Sequence, residues 1–154
     1  MRDWRLRSDV SGNLLAWAAR LHELAVFIAR SQYHKHGVYV LTHGDLAGFS
    51  KREQSMMGAL VRLHRRKFTL GVLDEFDAKM RELLTRLAVL LRVAAVLHRS
   101  RTDSPLPIAK GDAQARTLSL EFPEHWLQQH PLTRADLVEE ALYLSAADFE
   151  LTFQ

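Results

Sequence analysis

No cysteine occurs anywhere in the 154 residues. That absence excludes disulfide stapling, thiolate metal ligands and thiol redox chemistry, and makes a cytoplasmic setting the expectation. No stretch approaches the about 18 uninterrupted apolar residues that a membrane span needs. The opening MRDWRLRSDV is charged every few residues and holds no apolar signal-peptide core. Neither membrane insertion nor secretion is therefore expected. Internal repeats and low-complexity tracts are also missing, which excludes solenoids and disordered tails.

What is present is enough apolar material, 47% of the chain, to bury a core of its own. The length suits one domain, or one domain with a small appendage. The net charge is only +3, but it is unevenly spread. Residues 1–101 hold 18 Lys and Arg against 9 Asp and Glu, whereas residues 102–154 hold 3 against 9. A region at +9 concentrates polyanions around itself, although a charge asymmetry alone is equally compatible with a solvated face that binds nothing.

Helical spacing dominates the basic part. Leu14, Ala18, Leu21, Ala25 and Ile28 recur at steps of three and four and predict a helix over about 10–29, with Ser11 as its cap. A second helix is expected over Lys35–His43, followed by a loop at Gly44, Asp45 and Gly48. Ser50-Lys51-Arg52-Glu53 has the form of a capping box and opens a helix carrying Met57, Leu60, Val61 and His64. The longest helix should run over about 74–98, with Phe76, Met80, Leu83, Leu84, Leu87, Leu90, Leu91, Ala94 and Leu97 on a broad apolar face.

Thr102-Asp103-Ser104-Pro105-Leu106-Pro107 stops helical structure and places a boundary between 1–101 and 102–154. Beyond it, Pro107–Lys110 and Arg116–Phe122 read as short strands around Gly111-Asp112. A short helical turn over Pro123–Gln129, a helix capped by Thr133 and running through Leu144, and a strand over Asp148–Phe153 complete the expectation. The fold class is mainly α with a small C-terminal α+β appendage.

Three clusters carry chemistry. His22-Glu23 interrupts an apolar helix, and both side chains need partners if buried. They suit a hydrogen-bonded core pair or, with more ligands, a metal. Tyr33-His34-Lys35-His36 stands at a helix start, where free amides favour anions and where the same residues also serve as a structural cap. Arg62-Leu63-His64-Arg65-Arg66-Lys67 is the densest basic run and lies at a helix C-terminus, where the dipole accepts positive charge. It reads either as a solvated helix end or as an anion contact.

The segments LLAWAARLHELA, SQYHKHGVYVL, GFSKREQSMMGALVRLHRRK and LLTRLAVLLRVAAVLHRSR, in this order and spacing, resemble the C-terminal half of the exopolyphosphatase/guanosine pentaphosphate phosphohydrolase family. The tail, with Leu118-Ser119-Leu120-Glu121-Phe122-Pro123 and Trp126, is similar to that family's small terminal αβ domain. The resemblance implies that residues 1–101 form an HD-like helical domain. It also implies that the phosphohydrolase centre, with its magnesium, belongs to N-terminal actin-like domains missing from this sequence, so that the chain needs no cofactor of its own and is inactive alone.

HD-type hydrolases hold metals with a preceding histidine, a His-Asp pair and a distant aspartate. Here the pair is His22-Glu23, the distant position falls on Ala95, and the earlier histidine would lie upstream of Met1 or be absent. The resemblance therefore implies a polyanion-holding, non-catalytic module that also supports homodimerisation. Its expected groove is lined by Lys35, His36, Arg62, His64, Arg65, Arg66 and Lys67, and its ligand is inorganic polyphosphate or guanosine pentaphosphate. No metal site is assigned. A metal-dependent alternative would use His22, Glu23, His36 and His64. A nucleic-acid-binding alternative rests on the basic bias alone, because the run Arg62 to Lys67 has no interleaved stacking aromatics.

Overall fold

The computed structural model describes residues 4, 9–22, 39, 43–44, 46–99 and 110–154. The fold is mainly α with one three-stranded sheet, and the chain divides into two compact units, Arg7–Leu91 and Met1–Leu6 with Arg92–Gln154. The boundary expected at 101/102 lies outside the described residues. The two compact units meet within a helix, at Leu91 and Arg92.

In the Arg7–Leu91 unit, α1 (Asp9–Leu21) buries Ser11, Leu14 and Ala18 on one stripe. Ser11 is therefore not the cap. It lies inside the first turn of α1 and is 1% exposed, because the helix starts by Asp9. The part of this helix expected beyond His22 lies outside the described residues. Of the helix expected over Lys35–His43, Tyr39 and His43 are described, both in helical backbone. Their rings stack at 4.5 Å, and His43 Nδ1 donates to the Tyr39 carbonyl at 3.2 Å.

The next helix, α2 (Lys51–Leu63), starts as the sequence indicates. Ser50 Oγ accepts from the Glu53 amide at 3.3 Å, and the Glu53 carboxylate accepts from the Ser50 amide at 2.7 Å. Met57, Leu60 and Val61 are fully buried where α2 packs on α1. Each such side chain stabilises the unit by about 1.5–3 kcal/mol.

The long helix α3 (Ala78–Leu97) begins four residues later than expected. Leu70–Leu73 form a 3-10 turn that buries Leu73, and Asp74 closes it by donating its amide to the Gly71 carbonyl at 3.2 Å. The cap is Asp77, whose carboxylate accepts from the Met80 amide at 2.9 Å. Two aspartates three residues apart offer two N-cap positions, and the turn occupies the first. Leu84, Leu87 and Leu91 are buried as expected, whereas Ala94 is exposed.

In the other unit, β1 (Lys110–Gln114) pairs antiparallel with β2 (Thr117–Glu121), so the hairpin turn is Ala115-Arg116. The turn expected at Gly111-Asp112 is corrected. Gly111 lies in β1 opposite Leu120, while Ala115 takes the left-handed conformation, at φ 47°. A short helix α4 (Trp126–Gln129) leads into α5 (Pro131–Ser145). Thr133 is not the cap of α5. Pro131 opens the helix and His130 precedes it, because proline has the helical φ built in and no amide to satisfy there.

After α5, β3 (Glu150–Phe153) pairs parallel with β2, giving the order β1-β2-β3. Asp148, expected in that strand, forms the preceding turn at φ 58°. Ala113, Leu118 and Leu151 meet in one buried row across the sheet, with Leu137 and Leu144 of α5 also buried. The opposite face is polar, as in the 2.9 Å bond from Thr152 Oγ1 to Ser119 Oγ. Trp4 is 2% exposed, donates its Nε1–H to the Ala115 carbonyl at 2.9 Å and sets its ring edge-on to Phe149. Among the described residues no helix is long and apolar enough to cross a membrane.

Candidate functional site

The last carbonyls of a helix have no intrahelical donor. Two histidines use this fact. His22, directly after α1, donates Nδ1–H to the Ala19 carbonyl at 2.6 Å, and His64, capping α2, donates Nδ1–H to the Val61 carbonyl at 2.5 Å. Each of these bonds places a proton on Nδ1. The two rings meet edge-on with centroids 5.2 Å apart, and His64 is 2% exposed.

The basic run continues from that buried ring. Arg62, Arg65, Arg66 and Lys67 are exposed, whereas Leu63 and His64 before the bend and Phe68 after it are buried. Arg65, Arg66 and Lys67 thus sit on a bend pinned at both ends, just after Arg62 in the last turn of α2. Arg66 adopts a left-handed backbone, φ 60°, and the Thr69 amide donates to the Lys67 carbonyl at 3.1 Å. A left-handed arginine costs about 1–2 kcal/mol that glycine would avoid. The carbonyl end of α2 is negative, so attraction for an anion must come from these side chains rather than from the helix dipole.

The expected site residues are therefore distributed as follows. Arg65, Arg66 and Lys67 share the exposed bend, Arg62 is exposed on the last turn of α2, His64 is buried against His22, and Lys35, His36 and Glu23 lie outside the described residues. Ala95 is half-buried on α3 and has no ligand atom. Among the described residues no three His, Asp or Glu side chains group so as to hold a metal ion. They offer the magnesium implied by the resemblance no donor set.

Sequence reasoning missed Arg92. It is fully buried on α3, with Nε donating to Glu140 Oε1 at 2.5 Å, Nη2 donating to Oε2 at 3.2 Å, and the guanidinium 5.7 Å from the Tyr143 ring. Burial pushes the Glu140 carboxyl above the usual carboxylate range, with Arg92 offsetting part of the effect. An arginine with apolar neighbours on both sides, Leu91-Arg92-Val93, was the available signal.

These features describe a helical module with a small mixed sheet. The model of the Ppx/GppA phosphatase domain III matches residues 2–141, and the chain belongs to that family. It is 33% identical over 138 residues to a guanosine-5'-triphosphate,3'-diphosphate pyrophosphatase of Pseudoalteromonas translucida, covering 90% of this chain and 28% of the relative. The protein of the same name from Pseudoalteromonas atlantica is also 33% identical, with 87% and 27% covered. That of Aeromonas hydrophila is 31% identical over 134 residues, again with 87% and 27% covered. The chain thus spans less than a third of the length of these curated relatives.

Proposed function

We propose that this chain is the non-catalytic, anion-holding part of a cytoplasmic phosphoanhydride hydrolase, binding inorganic polyphosphate or guanosine pentaphosphate and supporting a homodimer. The observation that carries the reading is the exposure of Arg62 at the end of α2 and of Arg65, Arg66 and Lys67 on the pinned bend after it. Guanidinium forks match phosphate oxygens in pairs, and the lysine adds a mobile point charge. Lys35 and His36 would extend the same groove, and buried His64 would position the bend from behind. Family membership and the name of the relatives supply the phosphate-chain chemistry.

Calorimetric titration with polyphosphate at low salt is expected to show binding without phosphate release, weakening steeply as salt is raised. Absence of binding by the folded chain would remove the ligand assignment. Sedimentation equilibrium tests the dimer separately.

The His22–His64 contact of 5.2 Å favours one second reading, a rearranged metal centre completed by Glu23 and His36. Elemental analysis of protein prepared without chelator decides it. Stoichiometric zinc, manganese or iron that is lost in His22→Ala would support the centre, and metal-free protein would end it.

A further inference from the structure

Among the described residues the sheet ends on β3, which has β2 on one side and no strand on the other. The Glu150 amide donates to the Arg116 carbonyl at 2.9 Å and the Gln154 amide to the Leu120 carbonyl at 3.1 Å. By the alternation of a strand, the amides and carbonyls of Leu151 and Phe153 point away from β2. Leu151 is 7% exposed and Phe153 is half-buried, so the outer edge opens toward Phe153.

At that end lies a groove of about 620 Å³, walled by Leu127, Pro131, Ala135, Val138 and Phe153. Its charged residue is Arg134. Val138 is 47% exposed, and the same helix leaves Leu132 and Leu142 exposed at 82% and 68%. One wall of the groove therefore lacks hydrogen-bond partners and the other lacks apolar ones. A helix laid into the groove would satisfy the apolar wall alone. An extended chain satisfies both, with its backbone on the strand and alternate side chains on the helix. Arg134 is exposed and lines the groove, where its guanidinium can meet a carboxylate.

We propose that the groove between β3 and α5 binds an extended segment of another polypeptide, which adds to the strand edge at Phe153, seats alternate apolar side chains against Val138 and Phe153, and pairs a carboxylate with Arg134. This assignment is independent of anion binding at the Arg62 to Lys67 run.

The test uses the full chain and blocked, fluorescent octapeptides alternating valine and threonine, with one glutamate placed at each position in turn. At least one peptide should bind saturably below about 1 mM by anisotropy. Val138→Asp should weaken it about tenfold or more, and Arg134→Ala about threefold, with the second loss absent for the glutamine counterpart of the peptide. N-methylating the peptide amides that face β3 should cost about tenfold, and methylating the alternate set should cost little.

No saturable binding by any peptide overturns the proposal, as does equal tolerance of both methylated sets. A concentration-dependent dimer abolished by Val138→Asp would assign the groove to a second copy and overturn it equally. Both substituted residues are exposed, and thermal melts establish that the variants are folded. If Val138→Asp alone fails to fold, the Arg134 and N-methyl results decide.

Discussion

In the Arg7–Leu91 unit, Arg62, Arg65 and Arg66 stand exposed at a helix end, whereas Arg92, in the other unit, is completely buried with its guanidinium against Glu140. An exposed guanidinium keeps much of its hydration and adds little to stability. A buried one has lost its water and depends on its carboxylate, so removing either partner leaves an uncompensated charge. One residue type thus stays solvated in one place and serves architecture in the other, and solvent access decides which.

The largest expected effect breaks the buried pair. Arg92→Ala should destabilise the chain by about 3–5 kcal/mol in urea melts, while Arg92→Met with Glu140→Leu should recover most of that loss. If the double variant is as unstable as the single one, the pair specifies more than charge balance. Arg65→Ala with Arg66→Ala should leave the melting curve unchanged within about 0.5 kcal/mol and weaken polyphosphate binding about tenfold or more. Equal affinity would show that the bend does not hold the anion.

Ser50→Ala, which removes half of the capping box, should cost about 1 kcal/mol with no effect on binding. Arg66→Gly sharpens the contrast further. Relief of the left-handed backbone should stabilise the chain by about 0.5–1 kcal/mol while affinity falls, so that stability and binding move in opposite directions at one residue.

The smallest effect is in the response to pH. Glu140 has a raised pKa, caused first by burial, so its contribution is fully present below the ordinary carboxylate value and is lost as pH rises through the raised one. Glu53 has a lowered pKa, caused by the Ser50 hydroxyl and then the Ser50 amide, so its contribution is present above the ordinary value and is lost as pH falls through the lowered one. Urea midpoints measured from about pH 3 to 7 should therefore lose their alkaline-side decline in Glu140→Gln and part of their acid-side decline in Glu53→Gln.

The features legible in the sequence were those whose signal is local. The capping box at Ser50 specifies its hydrogen bonds within four residues, and the apolar spacing of α3 identifies Leu84, Leu87 and Leu91 as buried. Where two local signals competed, the sequence was ambiguous. Asp74 and Asp77 both suit a helix start, and glycine at Gly111 looks more like a turn than Ala115 does. The apolar neighbours of Arg92 hinted at burial, but its pairing with Glu140 was illegible because the partner is 48 positions away and no spacing rule connects them. For the proposed anion site, exposure of the basic run followed from its density of charge, but the burial of His64 did not, since its ring contact with His22 joins positions 42 residues apart.

The parallel pairing of β2 with β3 has a kinetic consequence. The β1–β2 hairpin closes through the two-residue turn Ala115-Arg116, whereas β3 reaches β2 only after α4 and α5 have been laid down between them. Local closure precedes distant closure because a short loop loses less chain entropy. The β3 strand should therefore be the last element of its sheet to acquire protection from amide exchange during refolding, with the hairpin protected first. At equilibrium the slowest amides of the sheet should belong to β2, the strand bonded on both sides.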